Sequence, residues 1–370
     1  MSNRFASFGL PQTPAPLPRY GGRVPATREL GLSPVAGDLF VVEGAGPVYA
    51  LPPAPRGTLI TLLTTTALTL VNSSKLVLPG AANIVTSPND ALLMTPIADG
   101  AWQCLAVLPN AGFRRRLTAD LTLYVNGSTG SDSNDGLSAA TPFATIQKAI
   151  DVVSGTLDTS IYTVTIQVAA GTYAAALVCK QLSGSGSVQL LGDATTPANV
   201  TIAVTNGHCL ATDGIRGYKI KGFKLTTSGS GDCIRSIGGG KIEINGNMNY
   251  GACAGAHMFA GSKGVITNLA NSYTVSGAPN IHWQVGQDGL LAVEALTITL
   301  TASITVTNWA YAQDLSEIVC DGITFSLGGN TVTGVRYGAA DLSIINTGGG
   351  GASYLPGSSA GSSSGGSIYK

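Results

Sequence analysis

The chain has 370 residues, 49 of them glycine, with 44% hydrophobic and only 11% charged side chains. Its 20 basic residues balance 20 acidic ones, so nothing draws in a polyphosphate backbone and nucleic acid is excluded as the expected partner. That length allows a sizeable core plus one or two smaller modules, and the glycine content points to a chain that turns often.

The first ten residues lack an apolar run and a cleavage-site pattern, so no signal peptide is expected. Residues 1–36 carry Pro11, Pro14, Pro16, Pro18, Pro25 and Pro34 without a hydrophobic period, and read as an extended attachment arm that becomes ordered on a partner. Residues 37–109 hold short apolar runs at Asp38–Val42, Thr58–Thr64, Leu68–Val71, Lys75–Leu78, Ala91–Ile97 and Ala101–Leu108. Turns such as Pro79-Gly80 separate them, which predicts a small all-β module. Its most hydrophobic stretch, Leu59 to Leu78, is threaded with Thr61, Thr64, Thr65, Thr66, Thr69 and Asn72. That pattern suits paired strands and argues against insertion in a membrane. Residues 110–125 read as a linker with a solvated run, Arg114-Arg115-Arg116, followed by a first strand at Leu121–Val125.

From Asn126 to Ser138 the sequence is turn chemistry. The string GSDSNDG, Gly130 to Gly136, invites a calcium reading, but Phe143 stands where an EF-hand loop needs its bidentate glutamate. A turn held by Asp and Asn side chains is the better account. Thr141-Pro142 then opens a helix near 142–153, with Ile146, Ala149, Ile150 and Val153 on one face. Its place suits a cap for a repeat array whose first coil has no neighbour.

Beyond the helix the sequence repeats. Val178-Cys179, His208-Cys209, Asp232-Cys233, His257-Met258, His282-Trp283 and Asn308-Trp309 follow at steps of 30, 24, 25, 25 and 26 residues. Ile166, Leu190, Ile220, Ile244, Leu269, Val293, Cys320 and Ile344 keep the same beat. Units of this length, rich in Val, Ile and Thr and broken by Gly, Ser or Asn, predict an all-β parallel solenoid of about seven or eight coils within residues 126–347. Residues 348–370, mostly Gly and Ser, read as a tail that is flexible or held by another chain.

In this alignment Cys179, Cys209, Cys233, Met258, Trp283 and Trp309 form one inward column. Coils about 4.8 Å apart would allow a Cys209–Cys233 bridge, but reduced thiols are expected in a reducing compartment. His208, Asp232, His257, His282 and Asn308 stand one residue earlier, so strand alternation points them outward. His257, His282 and Asp232 are this column's candidates for a metal site or an acid/base pair, and a polar ladder bonded to itself and to backbone accounts for them better. No metal or cofactor is expected. Outside the second column, Glu294 and Asp321 become neighbours, as do Lys219 and Glu243. Glycoside cleavage needs two carboxyl groups roughly 5–9 Å apart, yet the first pairing rests on an irregular 27-residue step where one slip would turn a side chain inward. The chain carries no phosphate loop, no G-x-S-x-G elbow and no zinc-type spacing.

The segment Tyr124 to Asp151, YVNGSTGSDSNDGLSAATPFATIQKAID, resembles the opening of right-handed parallel β-helix proteins of the pectate-lyase-like superfamily, frequent in virion proteins of tailed bacteriophages and prophages. GAHMFAG, NIHWQV, the ending from Ile345 to Tyr369, and the stretch from Ala67 to Met94 resemble tail-fibre and tail-spike-like proteins. The resemblance spans most of residues 58–370. It implies a right-handed β-helix in a homotrimer, made in a bacterial host's cytoplasm and carried on the virion. Residues 1–36 would bind another virion protein and the β-helix would face a bacterial surface glycan. Binding without cleavage is expected, with Tyr218, Tyr250, Tyr273, Tyr311 and Tyr337 as candidates for stacking on sugars. The alternatives are a tail-spike polysaccharide depolymerase using Glu294 and Asp321, and a purely architectural head or collar fibre or decoration.

Overall fold

The computed structural model describes residues 19–34, 36–97, 100–108 and 114–370, which fall into two compact units divided between Phe113 and Arg114. In the first unit, Tyr20–Pro25, Leu39–Glu43, Ile60–Thr64, Ala91–Pro96, Trp102–Leu108 and Leu76–Val77 form a six-stranded sheet in that spatial order. Period-two alternation sends Phe40, Val42, Leu62, Leu92 and Met94 into its core. A three-stranded sheet of Pro47–Val48, Thr69–Leu70 and Ile84–Val85 completes the all-β module.

This module begins earlier than its hydrophobic pattern suggests. Tyr20–Pro25 pairs in parallel with Leu39–Glu43, and Leu30 and Leu32 are buried, so residues 20–34 belong to the module and not to an arm. Gly21 is the reason. Its bare backbone lies against the Phe40 ring, where a Cβ would come within 2.4 Å of Cε1. Backbone pairing and one large ring hold the strand, and neither leaves a hydrophobic period to read. Pro11 to Pro18 lie outside the described residues.

The second unit opens with Arg115–Arg116 paired to Leu157–Asp158, so the arginine run is a short strand with exposed side chains. The Gly130–Gly136 loop is a clamp on the helix that follows. Asp132 accepts hydrogen bonds from the backbone N–H groups of Ala144 and Thr145, both at 3.0 Å, and from the Thr145 hydroxyl at 2.9 Å. Asn134 donates to the Pro142 carbonyl at 2.8 Å. The helix runs from Ile146 to Thr156, later than predicted, because Phe143 makes a β-bridge with Val125 and Thr145 is the N-cap, its hydroxyl accepting from Lys148 N–H. Ile146, Ala149, Ile150 and Val153 join the core of the first coils, as a cap requires.

Three parallel sheets then stack into a β-solenoid. The longest is ten strands deep, from Leu121–Val125 to Ile368–Tyr369, so the array exceeds the seven or eight coils read from the sequence. The others have eight and seven strands. The Gly/Ser tail supplies the extra depth: Ser362–Ser363 pairs with Gly338–Ala339, Ile368–Tyr369 pairs with Ile344–Ile345, and Tyr369 stacks on Tyr337 at 3.6 Å. The tail is therefore the last coil, low in hydrophobic signal because only a few of its side chains reach the core.

The ladder also corrects the long inward column. Ile166, Leu190, Ile220 and Ile244 stack as predicted, but Ile244 is followed by Asn268. Leu269 points outward at 55% exposure, and buried Thr347, level with Cys320 because Val319 pairs with Asn346, takes the inward slot assigned to Ile344. An alignment that demands an apolar residue at every core position steps over a buried asparagine.

The corner between the eight-stranded and ten-stranded sheets is a stack of two-residue turns with both φ positive. Gly238-Gly239, Ser262-Lys263, Gln287-Asp288, Asp314-Leu315, Asp341-Leu342 and Gly365-Gly366 occupy it in successive coils. In each step the second residue's N–H donates to the first residue's carbonyl one coil on, at 2.9 to 3.0 Å. Hydrogen bonding thus continues through the corner, and the glycine pairs at either end sit where left-handed backbone costs them nothing.

Candidate functional site

The eight-stranded sheet carries most of the candidate residues, in a register one residue away from the predicted one at two steps. Ile234 pairs with Met258 and Trp283 pairs with Ala310. Leu210, Ile234, Met258, Trp283, Ala310 and Tyr337 therefore form one row. Cys209, Cys233, His257, His282 and Trp309 form the row one residue before it, and both rows are buried. Cys179 is buried but lies level with Thr212, since Val178 pairs with Ala211. The strands wrap the corner at their N-terminal ends, so two consecutive residues face inward and simple alternation fails there. All six cysteines are buried free thiols.

His257 and His282 are accordingly inside the solenoid, not on its surface, and their protons are fixed by their partners. His257 Nε2 lies 2.7 Å from the Gly251 carbonyl, which can only accept, so Nε2 carries the proton. His257 Nδ1 is then the acceptor for His282 Nδ1–H at 2.8 Å. His282 Nε2 must accept from the Tyr273 hydroxyl at 2.9 Å, and that oxygen accepts from Trp283 Nε1–H at 3.2 Å. One chain of donors thus runs from Trp283 through Tyr273, His282 and His257 to backbone, with both imidazoles neutral. Burial pushes His257 down to about 4. Burial, and then the neighbouring His257, pushes His282 well below its ordinary value.

The remaining members of the predicted histidine row go elsewhere. Asp232 accepts from Ala256 N–H at 2.8 Å and from Arg235 at 3.0 Å, and its own N–H donates to His208 Nδ1 at 2.9 Å. Asn308 lies level with Ile281. Among the described residues no cluster of three or more His, Cys, Asp or Glu side chains is placed to hold a metal ion.

Four of the five tyrosines are in the core. Tyr218 sits between Val188 and Ile242, Tyr250 between Leu225 and Val275, and Tyr273 between Met248 and Ile298. Tyr337 follows Ala310 and is covered by Tyr369. Their amphipathic rings fill wide coils, which removes them as sugar platforms. Tyr311 alone faces out, in a row the sequence reading missed: Ala211, Arg235, Phe259, Gln284, Tyr311 and Gly338. Arg235 lies 4.3 Å over the Phe259 ring. Tyr311 lies over Gly338, where a Cβ would come within 2.8 Å of its ring. The signal was one residue beyond Ile234, Met258 and Trp283, and the two register slips hid it.

Glu294 and Asp321 are level on adjacent coils of the ten-stranded sheet, because the 27-residue step holds from Leu290–Glu317 to Ala292–Val319 and Ala295 N–H donates to the Asp321 carbonyl at 3.0 Å. Leu269 lies level with Glu294 on its other side. Partial burial and then the Asp321 charge raise the Glu294 carboxyl above its ordinary value. On the same sheet Lys219 and Glu243 form an exposed ion pair at 3.3 Å, worth little to stability.

The fold and these rows define a parallel β-solenoid preceded by a small β module. Compared with known proteins, the chain matches no family model and no curated sequence.

Proposed function

We propose that this chain is a virion protein of the tail-fibre or tail-spike type, a homotrimer that attaches through its N-terminal region and presents the solenoid's flank to a bacterial surface glycan. The observation that carries the reading is the outward row Arg235, Phe259, Gln284 and Tyr311, one side chain per coil on a fully packed core. Coils about 4.8 Å apart set the two rings about 10 Å from each other on a rigid surface, a spacing suited to a repetitive polymer. Three copies raise avidity beyond that of one weak site. The test is retention on a panel of bacterial surface polysaccharides. Phe259→Ala with Tyr311→Ala is expected to weaken retention at least tenfold with unchanged thermal unfolding, and unchanged retention would rule this face out.

The Glu294–Asp321 pair supports a second reading, a depolymerase. Two carboxyls on adjacent coils, with Glu294 raised above its ordinary value by partial burial and by its neighbour, are the elements from which a glycosidase builds an acid and a base. Release of oligosaccharides that disappears in Glu294→Gln and in Asp321→Asn would establish it over presentation alone.

A further inference from the structure

The inward row of Cys209, Cys233, His257, His282 and Trp309 does not end in the core. The next residue in register is Arg336, because Asn308 pairs with Val335 and Ala310 with Tyr337. Arg336 opens into a cleft of about 600 Å³ between the last coils, a size typical of small-ligand sites. It is the only Lys, Arg, Asp or Glu lining that cleft, and among the described residues its guanidinium has no ion-pair or hydrogen-bond partner. Phe325 and Tyr354 form one wall, edge to face with centroids 5.6 Å apart, and the Tyr354 hydroxyl is fixed by the Ile323 N–H at 2.7 Å. Leu327 and Pro356, both partly exposed, continue the apolar surface over the buried Leu355, and the Thr331 and Thr333 hydroxyls line the rim.

We infer that this cleft binds one unit of an acidic sugar that also carries an N-acyl group. A planar guanidinium without a partner matches a carboxylate through two parallel hydrogen bonds. Ring faces suit the C–H face of a pyranose, and the threonines suit its hydroxyls. The aliphatic part of the wall needs an apolar substituent, which an acyl methyl supplies and a plain uronate lacks. The inference rests on the glycan reading but names a different site from the outward row.

The test uses the full chain and ligand-observed NMR with three probes: N-acetylneuraminate, glucuronate and N-acetylglucosamine. N-acetylneuraminate is expected to bind at least tenfold more tightly than either probe that lacks one of its two groups. Arg336→Gln should reduce that binding at least tenfold and Thr333→Val severalfold, with thermal unfolding unchanged in both. Equal binding of the three sugars, binding indifferent to Arg336→Gln, or no binding overturns the inference. Displacement by an equal concentration of inorganic phosphate also overturns it, because the site would then read charge alone. The variant with Phe259→Ala and Tyr311→Ala, outside the cleft, should bind N-acetylneuraminate as the parent does. A failure of the outward face is thereby separated from a failure of the cleft.

Discussion

Tyr273→Phe removes one oxygen and leaves two buried groups without partners, Trp283 Nε1–H and the acceptor His282 Nε2. Each orphaned group costs about 1–3 kcal/mol, so a loss of about 2–6 kcal/mol is expected in urea unfolding. A loss below about 0.5 kcal/mol would mean the relay contributes little. The same relay sets a pH dependence. Both imidazoles are held neutral in the fold, His257 titrating at about 4, whereas an unfolded histidine titrates near about 6.5. Their contribution is therefore complete above that unfolded value and is lost as pH falls toward 4. The slope is about 1.4 kcal/mol per pH unit for each histidine. Unfolding midpoints measured from pH 7 to pH 4.5 should fall accordingly, and His257→Gln with His282→Gln should flatten the slope. A parallel decline in that variant would assign the acid sensitivity to other groups.

At the scale of elements, the corner turns are where the chain carries strain. Leu315 and Leu342 hold left-handed backbone with their side chains mostly exposed, so little packing offsets the cost. Replacing either with glycine should stabilise the solenoid by about 1 kcal/mol, read as a rise in unfolding midpoint. A fall would show that these leucines are covered in the assembled protein, which is itself informative because they lie side by side on consecutive coils. The helix teaches a related lesson. Its apolar stripe was legible because a 3.6-residue period survives a shifted start, while its N-terminus was not, because the Val125–Phe143 bridge outcompetes Pro142 as a helix opener.

For the whole molecule, the corrected boundary of the N-terminal unit changes what deletion should do. Removing residues 1–18 is expected to leave both units folded and to abolish incorporation into particles. Removing residues 1–36 should in addition strip Tyr20–Pro25 from Leu39–Glu43, uncover Phe40 and lower the melting temperature of that unit. Normal incorporation without residues 1–18 would refute the attachment role. Light scattering should report a trimer of the 37.4 kDa chain, and a monomer at micromolar concentration would count against the proposed assembly.

The sequence by itself determined the solenoid, its period of about 25 residues, the capping stripe and the adjacency of Glu294 with Asp321, because each depends on local spacing that stacking repeats coil after coil. It did not determine register at the corners. There two successive residues turn inward, a buried Asn268 stands where an apolar residue was expected, and a one-residue slip exchanges Phe259 for a core position. Sequence types could not separate the tyrosines either, since a ring that stacks on sugar and a ring that fills a wide coil are the same residue. Only tertiary structure decided that His257 and His282 share a proton chain inside the core, and that Arg336, level with Trp309, comes out into a cleft. Those outcomes depend on where each row leaves the packed interior, and a single strand carries no record of the coil that covers it.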